Sequence, residues 1–317
     1  MKKSLLLSVN LFVFLQIKLS SQEVAFSQIH AFPMQLNPAM AGFFQGDLRV
    51  SGIYRNQWFS IQPWTDAFQT VGLALDAAFL RGKYKRNYLG TGIQFLSDQA
   101  GDLRLRNLNS AINISYSKGL GKGDTKHSLA IGFQGLVRTF SINTSKAIFS
   151  DGVNENLNSN VTNFNIGTGL RYHIAFRSRL SWYLGLSYTN ILRADERFVV
   201  QNFQRTPLIT AHSGAVIDVT ERFNVLPSVM FVWNQQWQLN TGAFVQYIFD
   251  VFSDERNGIS FGLFSRFAQP LPDALISTIR LDYKNFQGVI SYDFNLSELK
   301  TASFGQGAVE LGLSYIF

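Results

Sequence analysis

Histidine, serine and cysteine are the residue types through which a chain most often does acid–base, nucleophilic or metal chemistry. The four histidines are His30, His127, His173 and His212. None has a metal-binding spacing such as H-E-x-x-H, and no serine lies in a G-x-S-x-G elbow. Cysteine is absent, which excludes disulfides, thiolate metal sites and a Cys nucleophile. The sequence therefore predicts a protein that is not an enzyme, with no catalytic residues, cofactor or metal.

One stretch of oxygen ligands could in principle hold a calcium ion. Residues 150–156 read SDGVNEN, which supplies carboxylate and amide oxygens. The stretch lacks the full D-x-[DN]-x-[DN]-G-x₅-E pattern of a calcium loop. A solvated external loop is the favoured interpretation.

The first 21 residues have the order of a secretory signal peptide. Two lysines precede an apolar stretch from Leu5 to Ile17, and serines follow at positions 20 and 21. The stretch is short and interrupted, whereas a spanning helix needs about 20 apolar residues. We expect cleavage after Ser21 and an exported chain. Removal of Lys2, Lys3 and Lys18 lowers the formal net charge from +7 to +4, and no basic tract suited to nucleic acid remains.

The rest of the chain alternates apolar and polar residues with a period of two, which is typical of β-strands. In 129–137, for example, Leu129, Ile131, Phe133 and Val137 alternate with small or polar residues, with Leu136 as the exception. About 14 such segments, an even number, have the lengths of tilted transmembrane strands. They cover residues 48–57, 69–80, 88–97, 106–117, 128–139, 162–173, 180–190, 208–218, 223–233, 237–249, 258–267, 274–283, 286–294 and 308–317.

A soluble β-sandwich also alternates and is the alternative fold. Two features favour an antiparallel up-and-down barrel in a bacterial outer membrane. The polar face holds mostly Gly, Ser, Asn and Gln rather than Lys and Glu, and aromatic residues gather near segment ends, as interfacial girdles require. The girdle candidates are Trp58, Phe59, Trp64, Tyr84, Tyr88, Trp233, Trp237 and Phe267.

The connection lengths predict the orientation of the barrel. Long connections such as 140–161 and 191–207 fall on one side, as external loops do, so both termini are expected in the periplasm. We predict three parts: a signal peptide at 1–21, a periplasmic or plug segment at 22–46, and the barrel at 47–317.

Charges of both signs fall on the face assigned to the lumen. They are Asp76, Arg138, Arg171, Arg266, Arg280, Asp282, Asp293 and Glu310. Such charges ordinarily pair with one another, and an ion-selective constriction is the alternative. Long side chains and inward loops could close the lumen, or it could remain a pore; the sequence leaves both open.

Motifs at both ends of the mature chain resemble those of one family. Phe26-Ser27-Gln28 is followed by Asn37-Pro38-Ala39, Ala41-Gly42 and Tyr54-Arg55-Asn56-Gln57-Trp58. The stretches YDFNLSELK at 292–300 and ELGLSYIF at 310–317 look like the family's last two strands. Together they resemble the PorP/SprF family, outer-membrane proteins of the type IX secretion system of Bacteroidetes. Residues 29–36 depart from it, reading IHAFPMQL where a stretch closer to YMFNPLLL is expected, which suggests a divergent paralogue.

The resemblance implies a barrel that works with type IX secretion components and helps a cargo protein cross or stay attached to the outer membrane. The cargo would carry a C-terminal sorting domain, as an adhesin of gliding motility would. The partner-binding candidates are Phe26, Ser27, Gln28, Asn37, Pro38, Ala39, Gly42, Tyr54, Arg55, Asn56, Gln57 and Trp58. In the alternative interpretation the segment only plugs or caps the barrel and Trp58 is a girdle residue. A second hypothesis is an outer-membrane channel or transporter for small solutes.

The last residues resemble the C-terminal sorting signal of outer-membrane barrels. Leu313, Tyr315 and Phe317 alternate toward one face and end on an aromatic residue. We expect them to serve as the membrane-assembly signal and to face lipid.

Overall fold

A computed structural model describes most of the chain from Phe26 onward. The described residues are 26–28, 30–57, 68–81, 87–100, 105–120, 126–141, 160–176, 179–192, 195–198, 201–204, 206–249, 257–268, 272–301 and 303–317. The predicted signal peptide, the SDGVNEN loop, Trp58, Phe59, Trp64 and Tyr84 lie outside them. No helix in the described part of the chain is long and apolar enough to span a membrane.

The described residues form sixteen strands, two short helical elements near the N-terminus and a 3₁₀ turn before the last strand. The helix α1 spans Pro33–Leu36, and a 3₁₀ turn follows at Pro38–Met40. The strands are β1 Leu48–Gln57, β2 Phe68–Phe79, β3 Tyr88–Ala100, β4 Leu105–Leu120, β5 Lys126–Ser141, β6 Asn160–Ala175, β7 Leu180–Thr189, β8 Asp195–Phe198, β9 Gln201–Gln204, β10 Leu208–Asp218, β11 Phe223–Asn234, β12 Gln236–Ile248, β13 Gly258–Ala268, β14 Ala274–Tyr283, β15 Phe286–Asn295 and β16 Gln306–Ile316. A second 3₁₀ turn spans Glu298–Lys300.

Fourteen of these strands form a closed antiparallel barrel, which confirms the predicted fold class. Each barrel strand pairs with its neighbours in sequence, with β10 following β7, and β16 pairs with β1 to close the ring. Closure leaves no sheet edge with unpaired backbone groups within the membrane-spanning part of the wall, as a membrane-embedded sheet requires. The strands β8 and β9 form a separate hairpin within the β7–β10 connection, which the alternation pattern did not predict.

The two ends of the barrel differ in the length of their connections. One end, called the turn end, holds the connections 80–87, 121–125, 176–179, 219–222, 249–257 and 284–285. It also holds Phe317, whose backbone N–H donates to the carbonyl of Leu48 at 2.8 Å. The other end, called the loop end, holds the two longest connections, 142–159 and 190–207. The predicted segregation of long connections to one end is confirmed.

The alternation places apolar side chains outside and polar side chains in the lumen. In β5, Leu129, Ile131, Phe133 and Val137 are exposed on the outer face, and Phe133 keeps 57% of its surface. The intervening positions, such as Ser128 and Gln134, are buried. Lipid is the solvent that suits an outer surface of this composition.

The girdle prediction holds for three residues and is wrong for one. Trp233, Trp237 and Phe267 lie near strand ends at the loop end and are exposed or partly exposed on the outer face. Tyr88, the first residue of β3, is buried and points into the lumen. Its hydroxyl accepts a hydrogen bond from Arg171 there, so a strand-end aromatic is not necessarily an interfacial one.

Candidate functional site

The N-terminal residues Phe26–Phe44, called the lumen segment, lie inside the barrel. Proline supports both of its helical elements, since Pro33 and Pro38 occupy the first helical positions, where a missing N–H costs nothing. Asn37 precedes Pro38 in an extended conformation, with φ −158° and ψ 121°, as a residue before proline prefers. Gly42 has φ 73°, a backbone region that glycine enters without strain.

The segment runs from the loop end to the turn end and touches every barrel strand. Ser27 lies level with the last residues of β1, β13 and β15, while Gly42 lies beside the start of β3. Contacting wall residues, in strand order, are Arg55, Asp76, Gln94, Ser115, Gly132, Arg171, Ser187, His212, Ser228, Phe244, Arg266, Thr278, Asp293 and Glu310. The segment is therefore an integral filling of the lumen.

Glycines in the wall make room for the segment. A Cβ at Gly132 would lie 2.3 Å from the backbone nitrogen of Ala39, and one at Gly169 would lie 2.0 Å from Oδ1 of Asn37. A Cβ at Gly90 would lie 2.1 Å from the carbonyl oxygen of Ala41. These distances are far below van der Waals contact, so only glycine permits this approach. At these three positions the strands β3, β5 and β6 leave no room for even one added carbon atom beside the segment.

Four charged side chains, called the loop-end ion cluster, hold the start of the segment. They are Arg55, Arg266, Asp293 and Glu310, all buried. Arg55 pairs with both Glu310 and Asp293, and Nη1 of Arg266 lies 2.9 Å from Oδ2 of Asp293. Arg266 also pairs with Asp273, the residue directly before β14. Buried charges persist only when paired and hydrogen-bonded, and this cluster meets both conditions.

The cluster binds the segment through its backbone. The N–H groups of Ser27 and Gln28 donate to the two carboxylate oxygens of Glu310 at 2.7 and 2.9 Å. The Ser27 hydroxyl donates to Asp293 at 2.7 Å and accepts from Arg55 at 2.8 Å. Glu310 thus accepts hydrogen bonds from two buried backbone N–H groups that would otherwise have no acceptor. Arg55 and Glu310 are also cross-strand partners at the β1–β16 junction.

Asn37 anchors the middle of the segment. Its Oδ1 accepts from the Ala39 N–H at 2.8 Å, which caps the 3₁₀ turn. Its amide donates to the carbonyl of Leu170 at 2.9 Å and lies 3.2 Å from a ring nitrogen of His212. Every polar atom of this buried side chain is used, as a buried amide requires.

We expect the substitution Asn37→Ala to destabilise the barrel by about 2 kcal/mol, since it removes a cap and a buried hydrogen bond. Gln35→Ala is the matched control, because partly buried Gln35 makes one side-chain hydrogen bond to the described residues, with Gln94 at 3.3 Å. Urea unfolding in detergent, followed by tryptophan fluorescence, measures both. An equal shift of the two midpoints would contradict the anchoring role of Asn37.

Arg171 holds the segment near the turn end without an acidic partner among the described residues. Its Nε donates to the carbonyl of Ala39 at 3.2 Å, and its Nη2 donates to the hydroxyl of Tyr88 at 2.9 Å. Its guanidinium carbon lies 3.6 Å from the centre of the Phe43 ring, a cation–π contact. A carbonyl, a hydroxyl and a ring thus replace the carboxylate that the sequence led us to expect.

Three of the other four lumen charges, Asp76, Arg280 and Asp282, pair with opposite charges as predicted. Asp76 pairs with Arg49 at 2.9 Å and also accepts from the Gly42 N–H at 2.9 Å. Arg280 and Asp282 pair with each other at 2.9 Å. Arg138 donates to the side-chain oxygen of Asn109.

The histidines do not form a shared site in the described part of the chain. His30 lies near Ser228 and Phe244, His173 near Ser181, and His127 near Tyr172. No group of three or more His, Asp or Glu residues among those described could hold a metal ion.

Most of the partner-binding candidates lie in the lumen segment itself or in the wall residues that contact it. Phe26, Ser27, Gln28, Asn37, Pro38, Ala39 and Gly42 are all buried there, and Arg55 belongs to the loop-end ion cluster. Asn56 is buried, and Tyr54 and Gln57 are partly buried, while Trp58 lies outside the described residues. A docking role for these residues stays a prediction. Sequence reasoning missed the wall glycines, whose only signal was their position on the lumen face.

Comparisons with known proteins show the family of the chain and solved structures with a similar barrel fold. A family model described as type IX secretion system membrane protein PorP/SprF matches residues 18–315. No curated protein matches the sequence. The solved structure of the CymD monoaromatic hydrocarbon channel has a TM-score of 0.52 at 12% identity, covering 93% of this chain and 95% of that chain. The Ralstonia pickettii toluene transporter TbuX has a TM-score of 0.53 at 10% identity, with the same coverage. Identities this low show a shared barrel fold alone.

Proposed function

The chain belongs to the PorP/SprF family of type IX secretion system membrane proteins, and from this we propose that it assists the secretion or surface attachment of a cargo protein. It acts as an outer-membrane barrel in association with other type IX secretion components. The cargo carries a C-terminal sorting domain, and an adhesin is the kind of cargo we expect. The family match over residues 18–315 is the observation that carries the proposal.

Because the lumen is occupied by the segment, the proposal places the contacts with partner proteins at the two ends of the barrel. A cargo chain passing through this barrel would have to displace a segment that touches all fourteen strands. In the proposal, the external loops hold the sorting domain, and the turn end faces the other secretion components. Partner contacts by the segment itself require its buried motif residues to leave the lumen.

The proposed orientation puts the turn end in the periplasm. Short turns on the periplasmic side and long loops outside are usual for these barrels. Phe317 and the entry into β1 then lie on the periplasmic side, whereas Ser27 lies at the external end, beside Arg55 and Asp293. In this orientation the expectation of two periplasmic termini is met by Phe317 and not by the first described residues. Leu313, Tyr315 and Phe317, exposed by 57%, 42% and 62%, lie on the outer face near this end and suit an assembly signal read from the periplasm. The domain proposal is a signal peptide at 1–21, the segment at 22–46 and the barrel at 47–317, which N-terminal sequencing of the mature protein tests.

Deletion of the gene tests the secretion role. The expected result is loss of one or more proteins from the surface of intact cells, with restoration by the full-length gene. Purification from gently solubilised membranes is expected to bring the cargo or a secretion component with the barrel. If every surface-exposed protein stays in place after deletion, the proposal fails.

A channel or transporter for small solutes is the second candidate function. A passive pore is disfavoured by the lumen segment, since the segment fills the interior from one end to the other. Conductance of the purified barrel in planar bilayers decides between the two. A steady conductance, with a defect in solute uptake and normal secretion after deletion, would favour the channel.

A further inference from the structure

The wall of the barrel has a step at the loop end, where β6 meets β7. Pairing between these two strands ends at Thr168 and Tyr188, yet β6 begins at Asn160, eight positions before Thr168. At the other junctions of the described barrel, the pairing at the loop end reaches to within two residues of the end of each strand. The first residues of β6 therefore pair with β5 on one side and with no described strand on the other.

The chain that follows β7 closes the lower part of this step. The backbone N–H of Ile191 donates to the carbonyl of Ile166 at 3.2 Å. The side chain of Asn165 then replaces a strand partner, since its Oδ1 accepts from the Leu192 N–H at 3.1 Å and its Nδ2 donates to the Leu192 carbonyl at 2.7 Å. Phe164 is the last apolar residue on the outer face of β6 toward the loop end. The edge is thus closed at the depth of the apolar outer surface, where an open edge would face lipid.

Residues 160–164 of β6, called the open edge, continue beyond this closure. Because the Ile166 carbonyl faces the β7 side, the alternation of a strand turns the N–H and C=O groups of Asn160, Thr162 and Phe164 to the same side. These groups have no hydrogen-bond partner on that side among the described residues. The hairpin of β8 and β9 lies beside β6 without pairing with it. Five residues is a usual strand length, so the open edge matches one added strand.

The sequence does not protect the open edge against pairing. Natural edge strands usually carry a lysine, a proline or a β-bulge that blocks the approach of another strand. Residues 160–166 read NVTNFNI, without a charged residue or a proline, and their register with β5 is unbroken. A regular, uncharged edge beyond the apolar outer surface is a ready template for an extended polypeptide.

We propose that the open edge is the site at which an extended strand of the cargo's sorting domain adds to the barrel sheet. The inference rests on the proposed function and names the binding site for its cargo. Backbone groups of the incoming strand pair with those of Asn160, Thr162 and Phe164, and the exposed Phe164 ring offers an apolar contact to one of its side chains. A polypeptide is the occupant because a backbone presents donors and acceptors at the spacing of a strand edge. In the proposed orientation this edge faces the outside of the cell.

The substitution Thr162→Pro tests this proposal in living cells, with the protein lost from the cell surface on gene deletion as the cargo. Proline removes an N–H of the open edge and sets its ring on that side, while the hydrogen bonds to β5 are made by the neighbouring residues. We expect the amount of cargo at the cell surface to fall about tenfold, as the loss of one or two backbone hydrogen bonds predicts. Thr162→Val keeps the N–H at the same position and is the matched control, expected to retain the cargo. Heat-modified electrophoretic mobility confirms that both barrels fold.

A photoreactive residue at position 160 identifies the occupant directly, since Asn160 is exposed at the start of the open edge. On intact cells we expect irradiation to join it to the cargo, and we expect Thr162→Pro in the same chain to abolish this adduct. An adduct with the β8–β9 hairpin, with a second copy of the barrel or with a protein other than the one lost on deletion overturns the proposal, as does the absence of any adduct. Undiminished cargo on cells with Thr162→Pro also overturns it, and the deletion result then still decides the secretion role by itself.

Discussion

Replacing Glu310 with alanine is expected to destabilise the barrel by about 3–5 kcal/mol, the usual effect of removing one partner of a buried ion pair. The substitution leaves Arg55 buried beside Arg266, with Asp293 as the remaining carboxylate of the cluster. It also leaves the N–H groups of Ser27 and Gln28 without their acceptor. Urea unfolding in detergent measures the stability, and protease cleavage within the lumen segment measures its release.

Two variants separate the loss of charge from other effects. Glu310→Gln keeps one backbone acceptor but removes the negative charge, so we expect a loss smaller than that of alanine and still clear. Glu298→Gln, an exposed acidic residue in the β15–β16 connection, is expected to change nothing measurable. If Glu310→Ala unfolds at the same urea concentration as the parent and resists protease equally, the ion cluster does not anchor the segment.

Replacing Gly132 with valine is expected to displace the lumen segment. The new Cβ would lie 2.3 Å from the nitrogen and 2.7 Å from the Cα of Ala39, and both are backbone atoms that cannot rotate away. Overpacking of this kind costs roughly 1–3 kcal/mol or more, and here the segment can escape it by leaving the wall. We therefore expect this variant to conduct in planar bilayers and the parent barrel not to conduct. We also expect proteases to reach the segment in the variant.

Gly135 provides the matched control on the same strand. It faces outward, and a Cβ there would meet its nearest neighbour, Phe164, at 3.9 Å, an ordinary contact. Gly135→Val is expected to leave conductance and protease resistance unchanged. Conductance from both valine variants would point to general damage, and a tight barrel in the Gly132 variant would show that the segment does not close the lumen.

The alternation of the sequence predicts the barrel strands, but it does not predict the path of the N-terminal segment inside the barrel. Period-two alternation depends on neighbouring residues, so it predicted the fourteen barrel strands and the face of residues such as Phe133 and Glu310. The position of the lumen segment depends on contacts such as that between Ser27 and Glu310, which are 283 residues apart in the sequence. Nothing local to Ser27 indicates that partner. The family resemblance singled out Phe26 to Gln28 without saying what they touch.

Two further details were missed. Tyr88 sits at a strand end, where aromatic residues usually face the interface, but it is in phase with Gly90 and Gln94 on the lumen face of β3, where Arg171 donates to its hydroxyl. Gly132 and Gly169 read as ordinary small residues of a polar face. Only the approach of Ala39 and Asn37 shows why no larger residue would fit.

The Arg55–Glu310 pair also has a consequence for how the barrel reaches its final form. Its two residues lie directly opposite each other where the first and last barrel strands meet, so the pair can form only in the correct register. A slip by one residue would turn Glu310 toward lipid and Arg55 away from its partner. Ring closure, strand register and capture of the chain's beginning are thus completed in one step. A barrel that closes incorrectly would expose a carboxylate to the bilayer and hold the N-terminal chain loosely, two defects by which a folding catalyst or a protease could recognise it.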